Sequence, residues 1–276
     1  MTSASAAATL EPGRVEPLLH GRLGRPYLWR GTCDSTQLLL DASMPEGATA
    51  VAEEQTSGRG RLGRIWETPP GRAILVSVLL RPPAGRPAAQ ISIAAGVAVA
   101  RTVEGALAAA APGDARPAAA ALPPVRIKWP NDVMIDGRKC CGILAEARDG
   151  VVVLGIGLNV NQQAGEFPPT PYYPPTSLRL ATGLEHDRAP LLAALLGHLE
   201  DAYGAWCAGG LEALHGDLAV RDFLAGRAVL VDGAPATALG IEPSGALAVE
   251  VAGARRLVGS GEVTVAPAGE GAGAGA

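Results

Sequence analysis

Four short stretches of this chain concentrate residue types that can do chemistry on an anion. Gly58-Arg59-Gly60-Arg61-Leu62-Gly63-Arg64 puts three glycines and three arginines in seven residues, directly after Gln55, Thr56 and Ser57. Glycine lets a backbone approach an anion and present its N–H groups, and guanidinium adds a planar fork suited to phosphate oxygens. The run has neither Walker A spacing nor a dinucleotide-binding glycine fingerprint. On spacing alone it is a phosphate clamp of another kind or a solvated basic turn. Lys128-Trp129-Pro130-Asn131-Asp132 offers an amide and a carboxylate at a kink, or else a structural turn with a packed indole. Lys139 opens the run Cys140-Cys141-Gly142-Ile143-Leu144-Ala145-Glu146. A lysine at the mouth of a sheet can hold a carboxylate and a phosphate together; a lone one is more simply an exposed residue after a turn. Gly155-Ile156-Gly157-Leu158-Asn159 places glycines inside an apolar run, a pattern that marks close approach of a ligand or another backbone.

These residues need a scaffold, and the apolar periodicity supplies one. Ala48–Gln55 and Ala73–Leu80 read as strands, and Gln90–Ala110 as a buried helix. Val125–Ile135, Arg138–Ala147 and Val151–Asn159 read as three strands of an antiparallel meander. The Asp136-Gly137 and Asp149-Gly150 pairs between them suit type I′ turns, whose central residues need positive φ. Residues 112–124 read as a surface loop and 164–176 as an irregular proline-rich segment. Ala189–Ala208 and Leu211–Val220 read as helices. Short β runs then recur at Ala228–Val231, Ala236–Ile241, Ala246–Val251 and Val263–Val265, separated by turn residues, which suggests a small barrel.

Composition narrows the function classes. Of 276 residues 48% are hydrophobic, which suits a packed core, and the net charge of −4 argues against DNA as the main partner. No run of 18 apolar residues suggests a membrane span, and the N-terminus lacks the basic and apolar regions of a secretory signal. The four cysteines, Cys33, Cys140, Cys141 and Cys207, show no CxxC spacing, so a zinc site is not expected. Cys140 and Cys141, adjacent on a strand, should point to opposite faces.

Taken in this order, and joined by Cys33-Asp34-Ser35-Thr36 upstream and Gly259-Ser260-Gly261-Glu262-Val263 near the end, these blocks resemble the biotin–protein ligase family. The resemblance implies an α+β fold with a mixed, largely antiparallel sheet of the class II synthetase-like kind, followed by a small C-terminal SH3-like β-barrel. It sets the catalytic domain at 14–222 and the barrel at 223–267, with disordered tails at 1–13 and 268–276. It implies a biotin–[acetyl-CoA-carboxylase] ligase that joins biotin to ATP as biotinyl-5′-AMP, releases pyrophosphate, and transfers biotin to a lysine of a biotin carboxyl carrier domain. Arg59, Arg61, Lys139 and Asp132 become the catalytic candidates. Biotin falls to Ser35, Thr36, Gln37, Gln55, Gly58, Arg59, Gly60, Arg61, Lys139 and Gly142. The nucleotide falls to Arg61, Trp66, Asn131, Lys139 and Asn159; for Trp66 a packed core indole is the competing reading. Mg2+ travels on the nucleotide phosphates, with no metal site on the protein. The partner is the carrier domain of acetyl-CoA carboxylase or a related carboxylase. Neither DNA nor a membrane is expected as a partner, a cytoplasmic location is expected, and the expected state is a monomer or a homodimer that can depend on ligand.

Two departures from the family pattern stand out. Cys140-Cys141 replace small aliphatic residues, and Leu62 stands where another basic residue is common. The resemblance begins by about residue 30, which leaves no room for the winged-helix domain of some members, so a monofunctional ligase is expected. Lipoate or octanoate transfer, on the same catalytic fold, is the nearest rival. A nonenzymatic biotin sensor and a nucleotide-binding module using the basic loop are more distant ones.

Overall fold

Ala73–Leu80 (β3) is buried along its whole length, so protein must lie against both its faces. The computed structural model describes residues 9–111, 122–169, 173–261 and 263–265. Around β3 it arranges β1 (Tyr27–Cys33), β2 (Thr49–Gln55), β4 (Val125–Lys128), β5 (Asp132–Ile135), β6 (Arg138–Arg148) and β7 (Val151–Asn159). The sheet order is β1-β2-β3-β7-β6-β5-β4, with β1 and β2 parallel and every other neighbouring pair antiparallel. The fold is therefore α+β with a mixed, largely antiparallel sheet. Asp136-Gly137 and Asp149-Gly150 all take positive φ, as type I′ turns require.

The 125–135 run is two strands, not one. The chain reverses at Trp129-Pro130-Asn131, where the Asn131 N–H donates to the Lys128 carbonyl and Lys128 comes to face Asp132. Proline cannot donate to a ladder, so an apolar run that contains one folds back there instead of continuing. The meander has four strands as a result.

One face of the sheet carries helices. In the chain the short helix α1 (Pro12–Val15) precedes the long α2 (Ala89–Ala110), the short α3 (Leu178–Thr182) precedes the long α4 (Arg188–Gly209), and α5 (His215–Arg221) follows. α2 packs over β4, β5 and β6, and α4 lies against α2 and β3. By length and composition α2 could cross a membrane, but 78% of its most apolar window is buried inside the fold, where it forms the centre of the core. Ile74, Val76, Val78 and Leu80 of β3 and Leu154, Ile156 and Leu158 of β7 join that core. The alternate residues Leu75 and Ser77, with Gly155 and Gly157, line a cavity on the opposite face.

The described residues begin at Thr9, inside the expected 1–13 tail. Residues 1–8 lie outside the described residues, but Leu10 is fully buried and its N–H donates to Glu53 Oε1 at 2.6 Å. An apolar side chain with a slot to fill and a backbone donor with an acceptor hold the chain in place at Leu10. Residues 112–121, most of the expected surface loop, lie outside the described residues.

The C-terminal strands are β8 (Ala228–Val231), β9 (Ala234–Ile241), β10 (Leu247–Val251), β11 (Ala254–Val258) and β12 (Val263–Val265). They form an antiparallel sheet in the order β11-β10-β9-β8-β12. β11 is an addition to the expected set. Glu262, and residues 266–276 with the expected tail, lie outside the described residues. Asp222 clamps the junction: its carboxylate accepts the N–H groups of Leu224, Ala225 and Ile241 at 2.8, 3.2 and 3.0 Å. Burial pushes its carboxyl above the usual range, and those three donors hold it down. Trp129 Nε1 donates to the Gly245 carbonyl at 2.9 Å, and one hydrophobic core runs through both sheets.

Candidate active site

The glycines of β7 make a floor. β7 presents Gly155, Gly157 and Asn159 to the cavity at every second residue, a span of roughly 13 Å. The cavity above it has a volume of about 630 Å3. Along that floor the walls change from polar to apolar to charged.

At the Gly155 end the polar side chains gather. β1 ends at Cys33, and Asp34 and Ser35 lead into a one-turn 3-10 helix, Thr36–Leu39, that packs on β2, β3 and β7. Ser35, Thr36 and Gln37 are buried there. The N–H and Oγ1 of Thr36 both donate to Gln55 Oε1, at 2.8 and 3.0 Å, and Thr36 Oγ1 lies 2.8 Å from Ser77 Oγ. Gln37 Nε2 donates to the Leu144 carbonyl at 3.0 Å.

In the middle lies Trp66. A Cβ added at Gly157 would stand 2.5 Å from its ring, and one at Gly142 would stand 2.7 Å from it. Only glycine lets the indole lie this close to the sheet. The Trp66 Nε1–H is buried with no hydrogen-bond partner among the described residues. The segment before it is a small ordered hairpin. Arg59 pairs with Ile65, the Gly60 N–H donates to Arg64 O at 2.7 Å, and the Trp66 N–H donates to Gly58 O at 2.9 Å. Leu62 and Gly63 take positive φ at its tip, and Leu62 is exposed. Arg59, Gly60 and Arg61 face the cavity. Gly58 lies behind them, packed against the Trp66 carbonyl.

At the far end the charges converge. Lys139 Nζ stands 5.6 Å from the centre of the Trp66 ring and 2.7 Å from Asp132 Oδ1. A β-bulge puts it there. Val133 pairs with Cys141 and Met134 with Lys139, so Cys140 is the extra residue. The bulge shifts the alternation by one, and Lys139 and Gly142, three residues apart, both reach the cavity. Cys140 and Cys141 do not point to opposite faces, as strict alternation predicts. Both are fully buried in the core, and burial pushes both thiols up. The Lys139 backbone is fixed on both sides, its N–H donating to Pro174 O at 2.9 Å and its carbonyl accepting from Thr176 N at 2.8 Å.

Arg61 NH1 reaches Asn131 Oδ1 at 3.4 Å, and Arg59 NH1 stands 3.9 Å from Glu146 Oε2. Asn131 Nδ2 donates to the Ile143 carbonyl at 2.9 Å. The Asn159 amide is engaged inside the protein, donating to Thr176 O at 3.0 Å and accepting from Gln162 Nε2 at 2.9 Å. Both asparagines line the cavity. Among the described residues no cluster of three or more His, Cys, Asp or Glu side chains could hold a metal ion.

The cavity thus collects every site residue singled out on sequence except Gly58. It also includes residues outside that set. Ser77 was legible as the only polar residue in an apolar strand. Lys128 belongs to the Lys128–Asp132 stretch; its ammonium lies 5.0 Å from the centre of the Tyr173 ring. Gly261 precedes β12, and Val263 and Thr264 belong to it; the Gly259–Val263 block marked this segment without tying it to the cavity.

Known proteins resemble this chain in sequence and in fold. Residues 31–162 match the model of the biotin/lipoate A/B protein ligase family. The chain is 37% identical over 191 residues to a bifunctional ligase/repressor BirA of Bacillus spizizenii, covering 66% of this chain and 54% of the relative. It therefore spans about half the length of that relative, and of the Bacillus subtilis one. It is 34% identical over 227 residues to a biotin–[acetyl-CoA-carboxylase] ligase of Mycobacterium tuberculosis, covering 79% of each chain. A solved biotin protein ligase from Aquifex aeolicus, in complex with biotin and ATP, superposes with a TM-score of 0.74 at 27% identity, over 87% of this chain and 97% of the other.

Proposed function

The chain belongs to the biotin/lipoate A/B protein ligase family, and from that premise we propose that it is an ATP-dependent biotin–protein ligase. The observation that carries this reading is the order of environments along β7. Biotin is a ring with a polar urea edge, an apolar tail and a terminal carboxylate. The cavity offers Thr36, Gln37, Gln55 and Ser77 at one end, Trp66 over a glycine floor in the middle, and Lys139 at the other end with the hairpin arginines beside it.

A carboxylate is a poor electrophile, so the first step joins it to the α-phosphate of ATP and expels pyrophosphate. Negative charge concentrates where carboxylate oxygen meets phosphorus. Lys139, Arg59 and Arg61 offset it, and they do so best in a site that excludes water. Asn131 positions Arg61 toward the nucleotide, and Trp66 separates the acid from bulk solvent. Mg2+ would arrive on the nucleotide phosphates, which suits a cavity where Asp132 is paired with Lys139 and no cluster of metal-ligating side chains stands among the described residues. The hairpin 58–66 covers the mixed anhydride, which water would otherwise hydrolyse. In the second step the amine of a carboxyl carrier domain lysine attacks the biotinyl carbonyl carbon, an amide forms as the C–O bond to the phosphate breaks, and AMP leaves. The lysine's ammonium, with a reference pKa of about 10.4, must first lose a proton, and Asp132 orients and accepts it.

The decisive assay is biotin-dependent exchange of labelled pyrophosphate into ATP. The wild type should exchange, and Lys139→Ala should lose at least about a hundredfold in rate. A wild type that exchanges with lipoate or octanoate but not biotin would replace this reading with its nearest rival.

A further inference from the structure

Of the 23 lysine and arginine residues in this chain only two, Lys128 and Lys139, are lysines, and both line the cavity. Every other basic side chain of that count is a guanidinium, which stays protonated and offers no lone pair to an acyl group. A solvated surface position asks only for charge, and arginine meets that need. A compact ammonium is kept at the one place where the proposed reaction would activate an acid.

Both of these nitrogens are engaged as cations. Lys139 Nζ lies 2.7 Å from Asp132 Oδ1 and 5.6 Å from the centre of the Trp66 ring. Lys128 is only 8% exposed, its ammonium stands 5.0 Å from the centre of the Tyr173 ring, and it faces Asp132 across the β4–β5 hairpin. A carboxylate and the faces of two aromatic rings suit ammonium groups. An ammonium must give up its proton before it can attack. Thiols, the other strong nucleophiles, are kept out of the cavity wall: Cys140 and Cys141 are buried in the core, and neither Cys33 nor Cys207 lines the cavity.

The mixed anhydride is an acylating agent for any free amine. Attack on its carbonyl carbon forms an amide, breaks the C–O bond to the phosphate, releases AMP and passes the amine's proton to water. We propose that this chain is protected from its own product: it gives the activated acid only to an amine that another molecule brings, because its two lysines are held as cations beside Asp132 and its remaining basic side chains cannot be acylated. A second copy of the chain is excluded as an acceptor on the same grounds. The inference rests on the ligase reading and narrows its partner to a protein with an accessible lysine. Leu62 fits the pattern. It is 70% exposed at the hairpin tip and lines the lip of the cavity, so a lysine there would be an open target.

The test incubates the full chain with biotin, ATP and Mg2+ and no acceptor protein. Biotinyl groups are then located by peptide mass spectrometry, and biotin-dependent pyrophosphate exchange is measured on the same samples. The wild type should exchange and carry no biotinyl group on Lys128 or Lys139. Leu62→Lys should acquire label on the introduced lysine, at least about tenfold above that on Lys128 or Lys139. Leu180→Lys, on α3 and 40% exposed beside the proline-rich segment, should do the same, and it carries the test if the hairpin variant loses exchange. Label on the α-amine of Met1 with both lysines clean supports the proposal, because the acid has then passed two held amines to reach a free one. Acylation of Lys128 or Lys139 in a wild type that exchanges overturns it. So do introduced lysines that stay unlabelled in variants that exchange, because scarcity of amines would then not be what spares the chain. A wild type that fails to exchange with biotin overturns the ligase reading instead.

Discussion

Asp132 answers to two residues at once. It faces Lys128 across the β4–β5 hairpin and holds Lys139 Nζ at 2.7 Å. A carboxylate that only anchored Lys139 would matter equally to both half-reactions. One that also receives the acceptor's proton matters more to the second, where general-base assistance is worth at least about a hundredfold. Asp132→Asn keeps the shape and removes the basicity. Pyrophosphate exchange should fall only a few-fold in this variant, while transfer from preformed biotinyl-AMP to a carrier domain falls about a hundredfold. Parallel loss in the two assays would make Asp132 a positioning residue alone. At this scale the sequence was most legible, because motifs in register name side chains. What it could not convey is how those side chains are spent. The Asn159 amide is committed to Thr176 and Gln162, and the Ser77 hydroxyl is paired with that of Thr36, which lies far away in the chain.

The bulge on β6 is the element on which the site turns. Without the extra residue, Lys139 and Gly142 would fall on opposite faces and either the ammonium or the close-approach glycine would leave the cavity. The same shift sends both adjacent thiols into the core, where burial disfavours the thiolate. Cys33 and Cys207 are only half-buried. A disulfide reagent at neutral pH should therefore titrate no more than two thiols in the folded chain and all four in denaturant. Rapid reaction of Cys140 or Cys141 in the native state, located by mass spectrometry, would show that β6 opens or that the register differs. A bulge is a property of strand pairing and not of one strand, so nothing in Arg138–Ala147 alone could announce it. β11 escaped notice for a different reason: Arg255 and Arg256 are exposed on an edge strand, and apolar periodicity is blind to such strands. β1 is half-exposed with no alternation and was missed likewise. The fully buried β3 and the Asp-Gly hairpins lay open to reading because burial and positive φ each restrict residue type.

Across the whole molecule, buried polar ties join parts that the sequence reading kept separate. Glu53, on β2 two residues before Gln55, takes the Leu10 N–H and the Trp29 indole on one oxygen and Arg188 of α4 on the other, at 2.6, 3.3 and 2.6 Å. Arg188 is 1% exposed, so Glu53→Ala removes the carboxylate from a cation that water barely reaches. That should cost about 3 kcal/mol in chemical unfolding. At the other end, Asp222 and the Trp129–Gly245 bond fasten the small sheet to β4, and Val263 and Thr264 complete the cavity wall. A chain of this length built as two independent domains would melt in two steps. One continuous core, with polar groups at the junction that would be stranded by separation, favours a single cooperative transition instead. Calorimetry of the wild type should show one endotherm, and Asp222→Ala, which leaves three backbone N–H groups without their acceptor, should lower it as a whole, by about 3 kcal/mol in stability. Should Asp222→Ala instead split the endotherm, with the smaller step coinciding with exposure of the Trp129 indole to solvent, the two sheets would be separable units and the continuity of the core would not be what holds the cavity wall in place.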